Sequence, residues 1–343
     1  MALRRPVLLA VLLVVFGTGC ASQRSAVAAS PQCSMEAATP WISRWFSAWE
    51  LASGEIMRLP HAPAPGLVFY DDTCVYTTIG MTAPEAKVVD GPALLGQKLP
   101  WRVKPHGGSL MLPEGPDTPV ALMSFANATE ETGPFFVMAA PSFWAQQGLQ
   151  DPLDFTGVFL HEFAHTRQVR GMGKAIGPID DAWPYPEELT DDAVQKHFES
   201  DPEYVAAYLA ERDLLYRAAD VPSHEEARTL ASEALAMRRA RQARWFTGDK
   251  EMFTQIDDVF LAMEGVGQWT ASAWLWDPRG GALDREAAIA KMLGRRKWWT
   301  QDQGLALMLV VDRLLPGWPL LAFGDEAVGA TELLERAVGP ATR

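Results

Sequence analysis

Five consecutive residues carry the strongest chemical signal in this chain: His161-Glu162-Phe163-Ala164-His165. An α-helix turns about 100° per residue, so histidines four apart stand on one face and both imidazoles can reach a single ion. Zinc accepts nitrogen ligands at about 2.0–2.1 Å in a tetrahedral shell, and a catalytic site keeps one position for water. Glu162 sits beside that face, where a carboxylate can take a proton from water that the ion activates. These residues predict one zinc held by His161 and His165, Glu162 as general base, and metal-assisted hydrolysis as the chemistry. With six histidines in 343 residues, a chance HExxH arises in on the order of one chain in a hundred. The context opposes chance. Val158, Phe159, Leu160 and Phe163 would bury the motif, and a buried glutamate between two histidines is costly without a metal or proton role.

The elements that must position the motif are legible around it. Asp151-Pro152 with Asp154 supplies an N-cap, a proline at the first helical position and an acid in the first turn, and Gly171 is placed as a C-terminal stop, so the motif lies in a helix over 152–170. Upstream, Trp41, Trp45 and Trp49 with Ile42 and Phe46 form one apolar face at helical period within residues 34–58, which reads as a core helix rather than a ligand groove. Short β-rich runs follow at Leu67–Tyr70, Val75–Ile79, Val120–Phe125 and Phe135–Ala140, separated by Pro/Gly clusters. They predict a small sheet. Downstream, Asp201-Pro202 opens a helix to about Ala219 and Ser223-His224-Glu225-Glu226 opens another to about Phe246. Further helices are expected near 250–275, 283–295 and 300–315. The fold class is α+β: residues 33–150 hold an N-terminal helix and a small β-sheet, and residues 151–343 form a mostly α-helical half that begins with the active-site helix.

The motif resembles the zincin superfamily of metallopeptidases, whose active-site helix carries HExxH below a sheet edge that aligns the substrate. Phe135–Ala140 is similar in order to that aligning strand. The metzincin pattern HExxHxxGxxH is not met, because Gln168 and Gly171 stand at its last two positions. The glutamate-ligand branch, the gluzincins, implies a carboxylate on a later helix as third ligand, and peptide bonds as substrate. Glu264, in Phe260-Leu-Ala-Met-Glu-Gly-Val-Gly-Gln-Trp269, resembles the third-ligand helix of several gluzincin families. Gly265 and Gly267 cost about 1 kcal/mol each in a helix interior, so another backbone should approach there, the active-site helix being the natural neighbour. The rival is Glu211 on the apolar face of Tyr208–Tyr216, for which a buried ion pair with an arginine is an equal reading. Glu203, Asp180, Asp181 and His197 complete the candidates. The choice of Glu264 makes the helices of 187–248 an insertion over the cleft.

Composition bounds the setting. Forty-three acidic against 30 basic residues leave a net charge of −13, which repels phosphate backbones, so no nucleic acid is expected as a partner. Residues 1–19 have the build of a secretory signal peptide, two arginines ahead of a short apolar run and small residues. Cys20 resembles the lipidated cysteine of a bacterial lipobox, and the Ser/Ala-rich stretch to residue 32 reads as a tether. The expectation is an exported lipoprotein, periplasmic or on the outer membrane, touching the membrane through its N-terminal lipid only. Cys33 and Cys74 then remain as an even pair in an oxidising compartment, where a disulfide is plausible and two free thiols are the alternative. From a different functional class, an envelope lipoprotein that keeps the zincin fold and binds a partner without catalysis would use the 13 tryptophans at an interaction surface.

Overall fold

The computed structural model describes residues 33–294, 296–326 and 328–339. The predicted signal peptide, Cys20 and the tether lie outside the described residues. Helix α1 (Met35–Glu50) starts at Ser34, whose hydroxyl accepts from the Glu36 N–H, and widens into a π-helical turn over Leu51–Ile56. Seven strands follow: β1 (Gly66–Tyr70), β2 (Cys74–Thr77), β3 (Arg102–Pro105), β4 (Ser109–Leu112), β5 (Gly115–Pro119), β6 (Ser124–Thr129) and β7 (Gly133–Ala139). Five of them form one sheet in the order β3-β2-β1-β7-β6, and β4 and β5 pair separately. Only β1 and β7 run parallel; the other neighbours are antiparallel. A disulfide joins Cys33 to Cys74, with Cα atoms 5.8 Å apart, and ties the entry of α1 to the first residue of β2.

The remainder is helical: α2 (Pro141–Gln146), α3 (Pro152–Asp181), α4 (Ala193–Phe198), α5 (Pro202–Asp220), α6 (His224–Trp245), α7 (Phe253–Trp276), α8 (Arg285–Leu293), α9 (Trp299–Leu314), α10 (Trp318–Ala322) and α11 (Ala330–Val338). This is the α+β arrangement expected, a small sheet near the N-terminal end and a mostly helical C-terminal half. No helix among the described residues is long and apolar enough to cross a membrane.

Two features correct the sequence reading. Helix α3 does not stop at Gly171 but continues to Asp181, with Gly171 itself buried. Met172, Ile176 and Ile179 prolong its buried stripe. Each such burial is worth about 1.5–3 kcal/mol, against about 1 kcal/mol for a glycine in a helix, so packing overrides the stop signal. Strand β7 is not a sheet edge, because β1 and β6 flank it on both sides. Its residues Phe135 to Ala139 are all fully buried, the continuous apolar run of an interior strand. The free edge on that side belongs to β6, which packs against α3.

The tryptophan stripe of α1 is core. Trp45 stacks on Phe159 of α3 at 5.1 Å, and Trp49 meets Phe163 edge-on at 5.1 Å. Phe136 of β7 closes on the same two rings from the sheet. One face of α3 is thereby clamped between α1 and the sheet by aromatic pairs, each worth about 0.5–1.5 kcal/mol beyond its buried area. The opposite face, which carries both histidines, is left for α7. Every residue of α7 from Val259 to Leu275 is buried, as suits a helix enclosed on all sides, with α3 and α9 as its main neighbours.

Candidate metal centre

His161 and His165 project one turn apart from α3, and Glu264 faces them from α7. The two imidazole Nε2 atoms are 3.3 Å apart; Glu264 Oε2 lies 3.1 Å from His161 Nε2, and Oε1 lies 3.6 Å from His165 Nε2. All three side chains are buried, Glu264 completely. Two nitrogens and a carboxylate oxygen lying within 4.8 Å of one another can hold a metal ion. Of the residues singled out in the sequence, the fold brings together His161, His165 and Glu264, with Glu162 beside them on α3.

The surroundings orient this set. His165 Nδ1 is 2.8 Å from Gln168 Oε1, so the ring donates there and keeps its Nε2 lone pair for the site. Gln301 of α9 donates to Glu264 Oε2 at 3.3 Å, and Gln268 of α7 donates in turn to Gln301 at 3.0 Å. Sequence reading met Gln168 only as a departure from the metzincin pattern, although its i+3 spacing from His165 was the available signal. Gln268, one turn beyond Glu264, carried the same kind of signal. Gln301 arrives on a separate helix and carried none.

The electrostatics are those of negative charge gathered away from water. Burial first, then the charges of Glu264 and Asp191, push the Glu162 carboxyl well above the usual carboxylate range. Asp191, buried in the segment leading into α4, is raised by burial and by Glu264 and Asp192. Of the stretch 187–248, expected to lie over the cleft, Asp191 and Asp192 are the residues whose charges reach the site, and no sequence signal marked them. Burial would raise Glu264 too, but the two histidines more than reverse it and hold this carboxylate below its ordinary value. Burial takes the His165 imidazole down to about 4, so the ring is neutral and free to ligate at neutral pH. Glu162 Oε2, Glu264 Oε1 and His161 Nδ1 are buried with no hydrogen-bond partner. A cation shared by His161, His165 and Glu264 would give the Glu264 oxygen a partner and offset the repulsion among the three acids.

Each of the two glycines has its own neighbour. A Cβ on Gly267 would stand 2.8 Å from His161 Nδ1, whereas a Cβ on Gly265 would stand 2.4 Å from the carbonyl oxygen of Gly304 on α9. Only Gly267 therefore meets α3, and it meets a side chain; the close backbone approach at Gly265 is with α9. Gly267→Ala must displace the His161 ring, so apparent metal affinity is expected to fall by roughly the 10–100-fold that follows disturbance of a ligand's orientation. Chelator competition at fixed pH measures it, and unchanged affinity would refute this role for Gly267.

The rival carboxylate is engaged elsewhere. Glu211 accepts from Arg241 Nε at 2.8 Å and from Gln303 Nε2 at 2.6 Å, while Arg238 and Arg241 also pair with Asp257 at 2.9 and 3.2 Å. All four charged groups are buried. Glu211→Ala would leave two enclosed guanidinium groups facing one fully buried carboxylate, at a cost of about 3–5 kcal/mol. Urea unfolding should show that loss while metal content stays unchanged; loss of metal would return Glu211 to the ligand set. Among the other candidates, Glu203 pairs with Arg244 on the surface, and His197 packs among Trp183, Tyr185 and Phe253. Asp180 and Asp181 end α3, about 23–24 Å along the axis from His165.

No protein-family model, curated protein or solved structure matches this chain.

Proposed function

We propose that this chain is a zinc-dependent hydrolase of peptide bonds, an exported lipoprotein acting in the bacterial cell envelope. The observation that carries the reading is the separation of the two Nε2 atoms, 3.3 Å. Zinc with ligands at about 2.0–2.1 Å in a tetrahedron spaces neighbouring ligands by about 3.3–3.4 Å, so the imidazoles stand at the spacing this ion requires. The mixed nitrogen and carboxylate donor set is one that zinc accepts. When bound, zinc supplies Lewis acidity, lowering the pKa of water and polarising a carbonyl. Glu162, next to His161 on α3, receives the proton from the attacking water and can return it to the leaving amine. Gln168 and Gln301 keep ligands oriented. Strand β6, whose outer edge is unpaired in the sheet, offers backbone groups to an extended peptide.

Metal analysis of the purified protein together with a peptide-library digest tests the reading. Close to one zinc per chain is expected, with hydrolysis that a chelator abolishes and zinc restores. Bound zinc with no hydrolysis would favour the partner-binding lipoprotein instead. Absence of zinc would remove the hydrolase and leave the partner-binding lipoprotein, which needs only the fold.

A further inference from the structure

One turn beyond Glu162, the surface of α3 passes into a cavity of about 330 Å³. Glu162, Thr166 and Arg170 form one row at i, i+4 and i+8, so the cavity, lined by Thr166, Arg167 and Arg170, continues the row that begins at the general base. Its other walls are the loop over residues 62–65, Thr132 of the β6–β7 turn with the first two residues of β7, Phe323 and Asp325. The walls are fixed in advance. Gln97 clamps the 62–65 loop by accepting from the Ala64 N–H and donating to the Ala62 carbonyl, and Thr129 and Thr132 hydroxyls bond across the turn at 2.7 Å. Because that turn closes the end of β6, an extended segment paired with the β6 edge is led into the cavity.

The charge inside is opposite to that of the molecule. Two guanidinium groups face a single carboxylate, Asp325, in a protein of net charge −13. Arg167 is half-buried and its only polar partner among the described residues is the Pro60 carbonyl, 3.3 Å away. Arg170 is exposed, and neither arginine pairs with a carboxylate among the described residues. A partly enclosed, unpaired guanidinium is costly unless a ligand completes it, and the arginine fork matches a carboxylate.

We infer that this cavity binds a carboxylate of the substrate through Arg167 and Arg170, making the enzyme selective for peptides that carry an acidic side chain or a free C-terminus close to the bond cleaved. The inference rests on the peptidase reading above. Arg170 stands about 12 Å along the axis from Glu162, and an extended chain advances about 3.3–3.6 Å per residue, which places the recognised carboxylate within about four residues of the scissile bond.

The test separates binding from hydrolysis. Zinc-loaded Glu162→Gln protein is titrated by fluorescence polarisation with three labelled alanine hexapeptides: free C-terminus, amidated C-terminus, and amidated with one internal glutamate. A carboxylate-bearing peptide should bind roughly tenfold or more tightly than the plain amide, the scale of a charge-assisted pair. Which of the two gains identifies a C-terminal or side-chain carboxylate. Arg170→Gln, at an exposed position, and Arg167→Gln/Arg170→Gln should each erode the preference, and Arg170→Lys should restore only part of it. Equal binding of all three peptides would overturn the inference, as would a preference that survives both substitutions. If the preference is found but wild-type protein cleaves none of the peptides, the carboxylate site stands and the peptidase reading falls.

Discussion

Glu264→Ala is expected to lose zinc by more than the 10–100-fold typical of residues that only orient a ligand. Its carboxylate is one of three donors, lies 3.1 Å from His161 Nε2, and is fully enclosed between α3, α7 and α9. Linkage turns this into a stability measurement. At zinc equal to one hundred times the wild-type Kd, the native state gains about 2.7 kcal/mol, whereas a variant with hundredfold weaker binding gains only about 0.4 kcal/mol at the same zinc concentration. Thermal unfolding with and without zinc, at one pH because protons compete for the imidazoles, should show the shift in wild type and its near disappearance in Glu264→Ala. A full zinc-dependent shift in the variant would exclude Glu264 from the ligand set. The comparison with Glu211→Ala is informative because the two carboxylates are both buried and differ in what they face. One faces two imidazoles; the other accepts a hydrogen bond from Arg241 and lies 3.7 Å from Arg238.

What the sequence made legible follows from the range of the interactions. His161, Glu162 and His165 were readable because four-residue spacing on a helix is a local property, and the Asp151 cap and Pro152 announced that helix. Glu264 was readable through Gly267, since a glycine inside a buried helix marks a place where a Cβ does not fit, here against the His161 ring. The same logic applied to Gly265 named the wrong neighbour: a missing Cβ says that something approaches, not which helix does. The end of α3 was misjudged because a local stop signal competes with burial that depends on distant partners. Asp191, Gln301 and the cavity beside Arg167 and Arg170 had no local signature, being assembled from elements far apart in the chain. The interior place of β7 was available in principle, since Phe135 to Ala139 shows no polar alternation.

Glu162→Gln should retain zinc and lose peptide hydrolysis by about 10²–10⁴-fold in kcat, the usual contribution of a positioned general base. The substitution isolates the proton-accepting role. Glutamine fills the same volume, and burial together with the Glu264 and Asp191 charges already favours the neutral form of the Glu162 carboxyl in the metal-free protein. The amide reproduces that neutral form, so neither the fold nor the metal set should be disturbed. What it lacks is a basic lone pair, because an amide nitrogen does not accept the proton that water must give up. The fall should appear in kcat with little change in KM, since an interaction made as the proton moves acts on the transition state and not on ground-state binding. The pH profile supplies a second reading. A cation near Glu162 stabilises its carboxylate and lowers its pKa, so wild-type activity should rise with pH as this group ionises, and that acidic limb should vanish in Glu162→Gln, whose residual rate comes from the metal and from substrate positioning alone. Turnover within about tenfold of wild type, well short of the usual general-base contribution, would remove Glu162 from proton transfer and leave the attacking water to another base.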